Sequence, residues 1–247
     1  MNPIQNPNED KPFVRGACLS GVCLIGASLA GCAACWWAAG TSLGLFFGGL
    51  FVTTFLIPAA ILGQKNLYAV LIGFAATVAP IAATWLIATL KTSDTIEQWV
   101  EATAVLLTYA LAISGIATLL TNCKLPEIFS AAAAITIGLA WLTWPIWLSA
   151  TLEKHATNAA VEAMVKIHPP LVINGILTGE PAWTEMSLAY HLTNLNQDIP
   201  IRLPATATAC AATHGMIGFF LWAAAYGIAR NPRRLYLIED PIFPEKQ

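Results

Sequence analysis

The stretch LIGASLAGCAACWW, Leu24 to Trp37, decides how the rest of the chain is read. Leu29-Ala30-Gly31-Cys32 looks like a lipobox, at which a lipidated cysteine becomes a new N-terminus. Cys32 and Cys35 also form a C-x-x-C pair, a pattern used for redox chemistry or metal. A third reading makes the stretch the small-residue end of a membrane helix. A secretory signal has an apolar core of about 7–15 residues followed by a polar mature sequence. Here the apolar run continues through Ala33, Ala34, Cys35, Trp36 and Trp37. A span that starts near Gly16 needs about 20 residues to cross the hydrocarbon. That length brings the Trp pair to the far headgroup level, which Trp prefers. The stretch is therefore read as the outer end of a first, uncleaved membrane helix. Loss of the first 31 residues in an intact-mass measurement would overturn that reading.

Composition points the same way. The 247 residues are 57% hydrophobic and 11% charged, with a mean hydropathy of +0.64. Soluble domains carry roughly 25% charged residues. A net charge of −2 gives no footprint for nucleic acid. The 6 cysteines lie in apolar surroundings and do not make a disulfide scaffold. Runs long enough to span a bilayer fall at 16–39, 41–63, 67–90, 98–122, 126–149 and 207–229. Pro58, Pro80 and Pro145 lie inside three of them and predict kinks whose freed carbonyls find partners on neighbouring helices. The expected fold is an all-α membrane bundle of six transmembrane helices with a helical extracytoplasmic insertion between helices five and six. Its parts are an N-terminal arm (1–15), helices one to five (16–149), the insertion (150–206), helix six (207–229) and a tail (230–247).

Orientation follows from positive charge. The side with the termini carries Lys11, Arg15, Lys65, Lys124, Arg230, Arg233, Arg234 and Lys246; the other carries Lys91, Lys154, Lys166 and Arg202. The positive-inside rule puts both termini in the cytoplasm, as in a bacterial cytoplasmic membrane protein. Trp36, Trp37, Trp85, Trp99, Trp144 and Trp147, with Trp141 a turn deeper, all fall toward the outer face and are expected to anchor there. Trp222 lies toward the inner face, and Trp183 is in the loop.

Within the insertion, ATLEKHATNAAVEAMVKIH (150–168) is expected to continue helix five outward. Its apolar stripe would be Leu152, Ala156, Ala159, Ala160, Ala163, Met164 and Ile167. Glu162 and Lys166 form an i,i+4 pair. Pro169-Pro170 stops that helix. A short apolar LVINGILTG follows, and PAWTEMSLAYHLTNL reads as a second helix. The whole is expected to cap the bundle or to lie along the membrane interface.

Chemistry is sparse. Glu101 sits near the outer end of helix four, within reach of water or headgroups. His214 is the one histidine in a span and reads as bonded to a neighbouring carbonyl or threonine, with haem or metal ligation as the alternative. The loop residues His155, His168, His191, Glu153, Glu162, Glu180, Glu185 and Asp198 match no catalytic or metal spacing. Cys32, Cys35, Cys210 and His214 form the sharper constellation. They are expected at similar depth on helices one and six, where they could hold zinc or form a disulfide. The plainer reading makes each cysteine a small apolar residue, and no cofactor is predicted on it. Gly16, Gly21, Gly26 and Gly31 recur every five residues, each step turning about 140°. Such spacing expects helix one to be well surrounded.

Function is read from this pattern as a non-catalytic subunit or scaffold of a larger membrane complex. Its partners are the bilayer and a membrane protein or a second copy, with no nucleic acid. The alternative is a transport permease: six spans, internal termini and a late helical insertion resemble compact ABC-exporter permeases. That is an analogy of fold alone, and the loop between helices two and three is too short for their coupling helix. A membrane enzyme using the loop histidines and carboxylates is third.

Overall fold

The structure, a computed structural model, describes residues 11–39, 42–62, 64, 67–91, 95–148, 151, 157–177 and 202–230. The expectations for the terminal segments, for 181–195 as a helix, and for Trp183, His155, His191, Glu153, Glu180, Glu185, Asp198, Arg233, Arg234 and Lys246 lie outside those residues. So do the side chains of Lys11, Arg15, Gly16 and Cys18. The helices are α1 (Lys11–Ala39), α2 (Ser42–Ile61), α3 (Leu67–Thr89), α4 (Ile96–Asn122), α5 (Glu127–Trp147), α6 (Asn158–Ile167), α7 (Pro169–Leu177) and α8 (Thr208–Arg230). Six of them, α1–α5 and α8, are long and apolar enough to cross a bilayer. In lipid every backbone group must bond within the protein, and a helix does this by itself. The chain is thus a multi-pass membrane protein with all-helical architecture and short helices between its fifth and sixth spans.

Local chemistry sets the helix ends. Thr95 caps α4: its Oγ1 accepts from the Gln98 N–H (3.2 Å), while Gln98 Oε1 accepts from the Thr95 N–H, a capping box. At the other end Cys123 closes the helix and Lys124 takes φ 65°. That left-handed position favours glycine, because a Cβ crowds the backbone there. Lys124→Gly is expected to stabilise the protein by about 0.5–1 kcal/mol, read as a higher midpoint in thermal unfolding of the detergent-solubilised chain.

α2 lies at the centre and touches α1, α3, α4, α5 and α7. Leu45, Phe46, Leu50 and Ile57 of α2 are fully buried, together with Ile81 and Trp85 of α3 and Leu106 and Tyr109 of α4. Helix association in lipid rests on close packing and polar bonds, since the solvent is itself apolar. The closest pair is α4 with α8. A Cβ on Gly218 would meet Leu111 Cγ at 2.8 Å and the Ala112 N at 2.9 Å, and one on Gly115 would meet Leu221 Cβ at 2.8 Å. Trp222 Nε1 donates to Ser114 Oγ (2.9 Å) and Asn122 Nδ2 to the Ala225 carbonyl (2.9 Å). The Ala207 N–H, at the start of α8, donates to Glu101 (3.3 Å). Position pairs that advance together along both helices mean that α4 and α8 run parallel. Both start at what we call the cap end, where α5 finishes. Glu101 there sets a carboxylate at the positive end of the α8 dipole.

Among the described residues the insertion contributes two helices, α6 and α7, neither of them an extension of α5. α5 ends at Trp147, and α6 starts afresh with Thr157 as its N-cap. Its buried face is Val161 and Val165 with Met164 beside them, whereas Ala159, Ala160 and Ala163 are exposed. The expected alanine stripe is thus displaced, because the branched valines bury more apolar area per side chain than alanine. Pro169-Pro170 does end α6, but it also opens α7, where the missing N–H groups cost nothing in a first turn. α7 is buried on nearly every side against α2 and α4, as an apolar helix of this kind must be. Gln98 Nε2 donates to the Ile176 carbonyl near its end (2.7 Å).

Two further expectations change. α1 is peripheral: only 17% of its apolar window is buried, against 61% for α2. Gly31 packs on Val52 of α2, but Gly26 faces nothing within 4 Å, because a five-residue step turns successive glycines to different sides. The tryptophans also divide. Trp36, Trp37 and Trp147 are exposed, as interfacial anchors are, but Trp85 and Trp144 are fully buried. Trp85 Nε1 donates to the Leu45 carbonyl and Trp99 Nε1 to the Ala82 carbonyl, so these rings tie helices together. The side of the helix on which each ring lies was not legible in the sequence.

Candidate functional site

Both described histidines, with Tyr109, Trp141 and Cys210, gather where α4, α5, α8 and the cap meet. Pro145 lacks an N–H, so the carbonyl of Trp141, four residues before it, has no donor within α5. His168, between α6 and α7, supplies one. Its Nε2 lies 3.1 Å from the Trp141 carbonyl and 3.2 Å from that of Leu142. Two acceptors at one nitrogen place the proton on Nε2. The ring is wedged edge-on against Trp141 and Trp144, with centroids 5.9 and 5.3 Å away. Burial outweighs the two carbonyl bonds and holds the His168 pKa at about 3, so the imidazole is neutral. This side chain latches the cap onto the fifth span.

Trp141 extends the arrangement to α8. Its Nε1–H donates to His214 Nε2 (3.1 Å), and His214 Nδ1–H donates to the Cys210 carbonyl (2.9 Å). Both ring nitrogens of His214 are thereby engaged. The Cys210 thiol donates to the Ile167 carbonyl at the end of α6 (3.4 Å). Beneath, Thr54 Oγ1 donates to the Leu50 carbonyl (2.8 Å) and lies 2.8 Å from the Tyr109 hydroxyl. The Tyr109 hydroxyl also lies 3.4 Å from the Gly138 carbonyl, so it ties α4 to both α2 and α5.

A crevice of about 170 Å³ lies beside these groups. Tyr109, Ile113 and Ile116 of α4 form its floor; Ile137 and Trp141 of α5 and His214 and Ile217 of α8 form its walls. It exists because α8 packs along α4, leaving α5 on the far side. Ile137 is 49% and Ile217 45% exposed. Both sit midway along their helices, so the crevice is open along the side of the bundle between α5 and α8.

The cysteine and histidine quartet is not assembled. Cys32 is buried beside Thr84 of α3, and Cys35 lies against Gly48 of α2. Cys210 and His214 face α6, α5 and α4. All five described cysteines are free thiols, and among the described residues no three His, Cys, Asp or Glu side chains come together as a metal site. α1 packs on α2 and α3, whereas α8 packs on α4 and α6. Of the loop residues, Glu162 is exposed and paired with Lys166 (2.7 Å). Lys166, by hydrogen bond and by charge, holds the Glu162 carboxyl below the usual range. His168 is sealed under the cap and not at a surface site. Tyr109, Thr54 and Thr213 were not singled out from the sequence. Pro145 was the one available signal, since it announced an orphaned carbonyl without saying what would serve it. No protein-family model, no curated protein and no solved structure matches this chain.

Proposed function

We propose that this protein is a non-catalytic subunit or scaffold of a larger membrane complex, with both termini on the cytoplasmic side. The observation that carries the reading is the use made of the polar side chains in and around the spans. Trp85, Trp99, Asn122, Trp141 and Trp222, together with Gln98 and His168 at the cap end, each bond a group on another helix. Groups committed to interhelical bonds brace a rigid body; they are not free to relay protons or to line a solute path. The walls of the α5–α8 crevice are apolar, which supports a scaffold over a permease. The poorly covered α1 and the Phe219–Phe220 side of α8 offer faces to a partner.

The test is extraction from the native membrane in a mild detergent after in-membrane crosslinking. A partner is expected in fixed stoichiometry, crosslinked through α1 or α8, with its abundance falling when this chain is deleted. A lone chain that transports a solute or turns over a substrate after reconstitution would overturn the reading.

A further inference from the structure

We propose that the seam between the cap end of α5 and the face formed by α6, α7 and α8 is an acid-sensitive joint, which opens when His168 and His214 take up protons while the α2–α3 and α4–α8 contacts stay closed. The proposal does not depend on the subunit reading. α5 packs on α2 and α4 and approaches α6, α7 and α8 only sparsely. Among the described residues three hydrogen bonds cross that seam. His168 Nε2 bonds the Trp141 and Leu142 carbonyls, and Trp141 Nε1–H donates to His214 Nε2. A histidine stands at one end of each, and histidine is the side chain whose charge changes nearest neutral pH. The bonds that Trp85, Trp99, Asn122 and Trp222 make between other helices have no titrating partner.

At neutral pH these bonds brace the bundle, and protonation undoes them. His214 gives its Nδ1–H to the Cys210 carbonyl, so Nε2 is the acceptor for Trp141. A proton on Nε2 sets two N–H groups against each other. In His168 the proton is on Nε2, and Nδ1 is buried without a partner. A proton there creates a donor beside Trp144, whose own indole N–H is buried and without a partner. No carboxylate among the described residues bonds either imidazole. Tyr109 of α4 and Cys210 of α8 adjoin His214. Glu162 and Lys166 of α6 are exposed and pair with each other, with Arg202 also acting on Glu162. Glu101 of α4 is engaged by the Ala207 N–H. α5 brings only Glu127, at its far end, and α7 brings no titratable side chain.

The direction follows from the two states of His168. In the closed seam it titrates at about 3; once water reaches it, it titrates near 6.5. Between those values the open form binds the extra proton, so opening becomes more favourable as the pH falls. From pH 7 to pH 5 this residue alone raises the opening constant about 25-fold.

The full chain in lipid nanodiscs, labelled with 15N at tryptophan, tests the proposal. Trp85, Trp141 and Trp222 each donate an indole N–H across a different helix contact. Single substitutions to phenylalanine assign their signals. Hydrogen exchange of each indole is measured at pH 7, 6 and 5, relative to free tryptophan at the same pH. The protection of Trp141 is expected to fall about 25-fold or more from pH 7 to pH 5, while Trp85 and Trp222 change less than about twofold. Unchanged protection of Trp141 overturns the proposal. So does equal loss at all three indoles, which marks global unfolding. The double variant His168→Gln, His214→Gln can donate to the same carbonyl and accept from the same indole without titrating. It is expected to hold the Trp141 protection constant over this range. A folded double variant with the wild-type pH response also overturns the proposal. If that variant fails to fold, the three wild-type indoles decide the matter by themselves.

Discussion

Gly218→Leu is expected to separate α8 from α4 and destabilise the protein by on the order of 3 kcal/mol. At this glycine a Cβ alone would come within 2.9 Å of backbone atoms of Leu111 and Ala112. Backbone cannot rotate aside as a side chain does, so the two helices must move apart. That movement stretches the Trp222–Ser114 and Asn122–Ala225 bonds, which lie on the same face. Thermal unfolding of the solubilised protein should show a large drop in midpoint. Gly227→Leu is the control: its Cβ would meet nothing within 4 Å, and the midpoint should stay within a degree or two. If the two variants behave alike, the α4–α8 contact is not what holds the last span.

His168→Phe is expected to cost about 1–3 kcal/mol, the range for leaving a buried polar group unsatisfied. Phenylalanine keeps most of the volume but removes the donor to the Trp141 carbonyl, which Pro145 has already deprived of its helical partner. Pro145→Ala restores an N–H at that position. The penalty for His168→Phe should therefore be smaller in the Pro145→Ala background, and a double-mutant cycle reads the difference as coupling. No coupling would show that His168 acts by packing alone.

The same residue predicts a pH dependence. The native imidazole stays neutral down to about pH 3, whereas an unfolded histidine titrates near 6.5. Between those values the unfolded state binds the extra proton. The stability that depends on neutral His168 is complete above pH 6.5 and declines as the pH falls toward 3, by up to about 1.4 kcal/mol per pH unit. His168→Phe should remove that part of the acid slope, so the curves of variant and wild type converge as the pH falls. Parallel curves between pH 6.5 and 4 would contradict the assignment.

The spans themselves were legible in the sequence. Apolar runs of sufficient length must be helical in lipid, and the observed limits of α2, α3, α4, α5 and α8 fall within two residues of those runs. The cap was legible as a helical insertion broken at Pro169-Pro170. How the helices face one another was not. In water a helix announces its buried side by an apolar stripe, but in a bilayer both sides are apolar and the stripe vanishes. Trp85 and Trp144 therefore read like Trp36 and Trp147 in sequence, although the first two are core and the others exposed.

Cys32, Cys35, Cys210 and His214 illustrate the same limit. Similar depths were expected for them, but depth does not say which helices are neighbours. Sequence order determined that α1 to α5 alternate in direction, because short loops allow nothing else. Only the tertiary structure decided that α8 packs along α4 and not along α5, since the choice rests on Gly115 and Gly218 admitting close approach and on Trp222 and Asn122 finding bonds there. That choice opens the α5–α8 crevice, and Trp141 bridges it to His214. The latch from His168 to the carbonyl that Pro145 orphaned likewise joins residues whose complementarity is a matter of ångströms in space, which no hydropathy pattern carries.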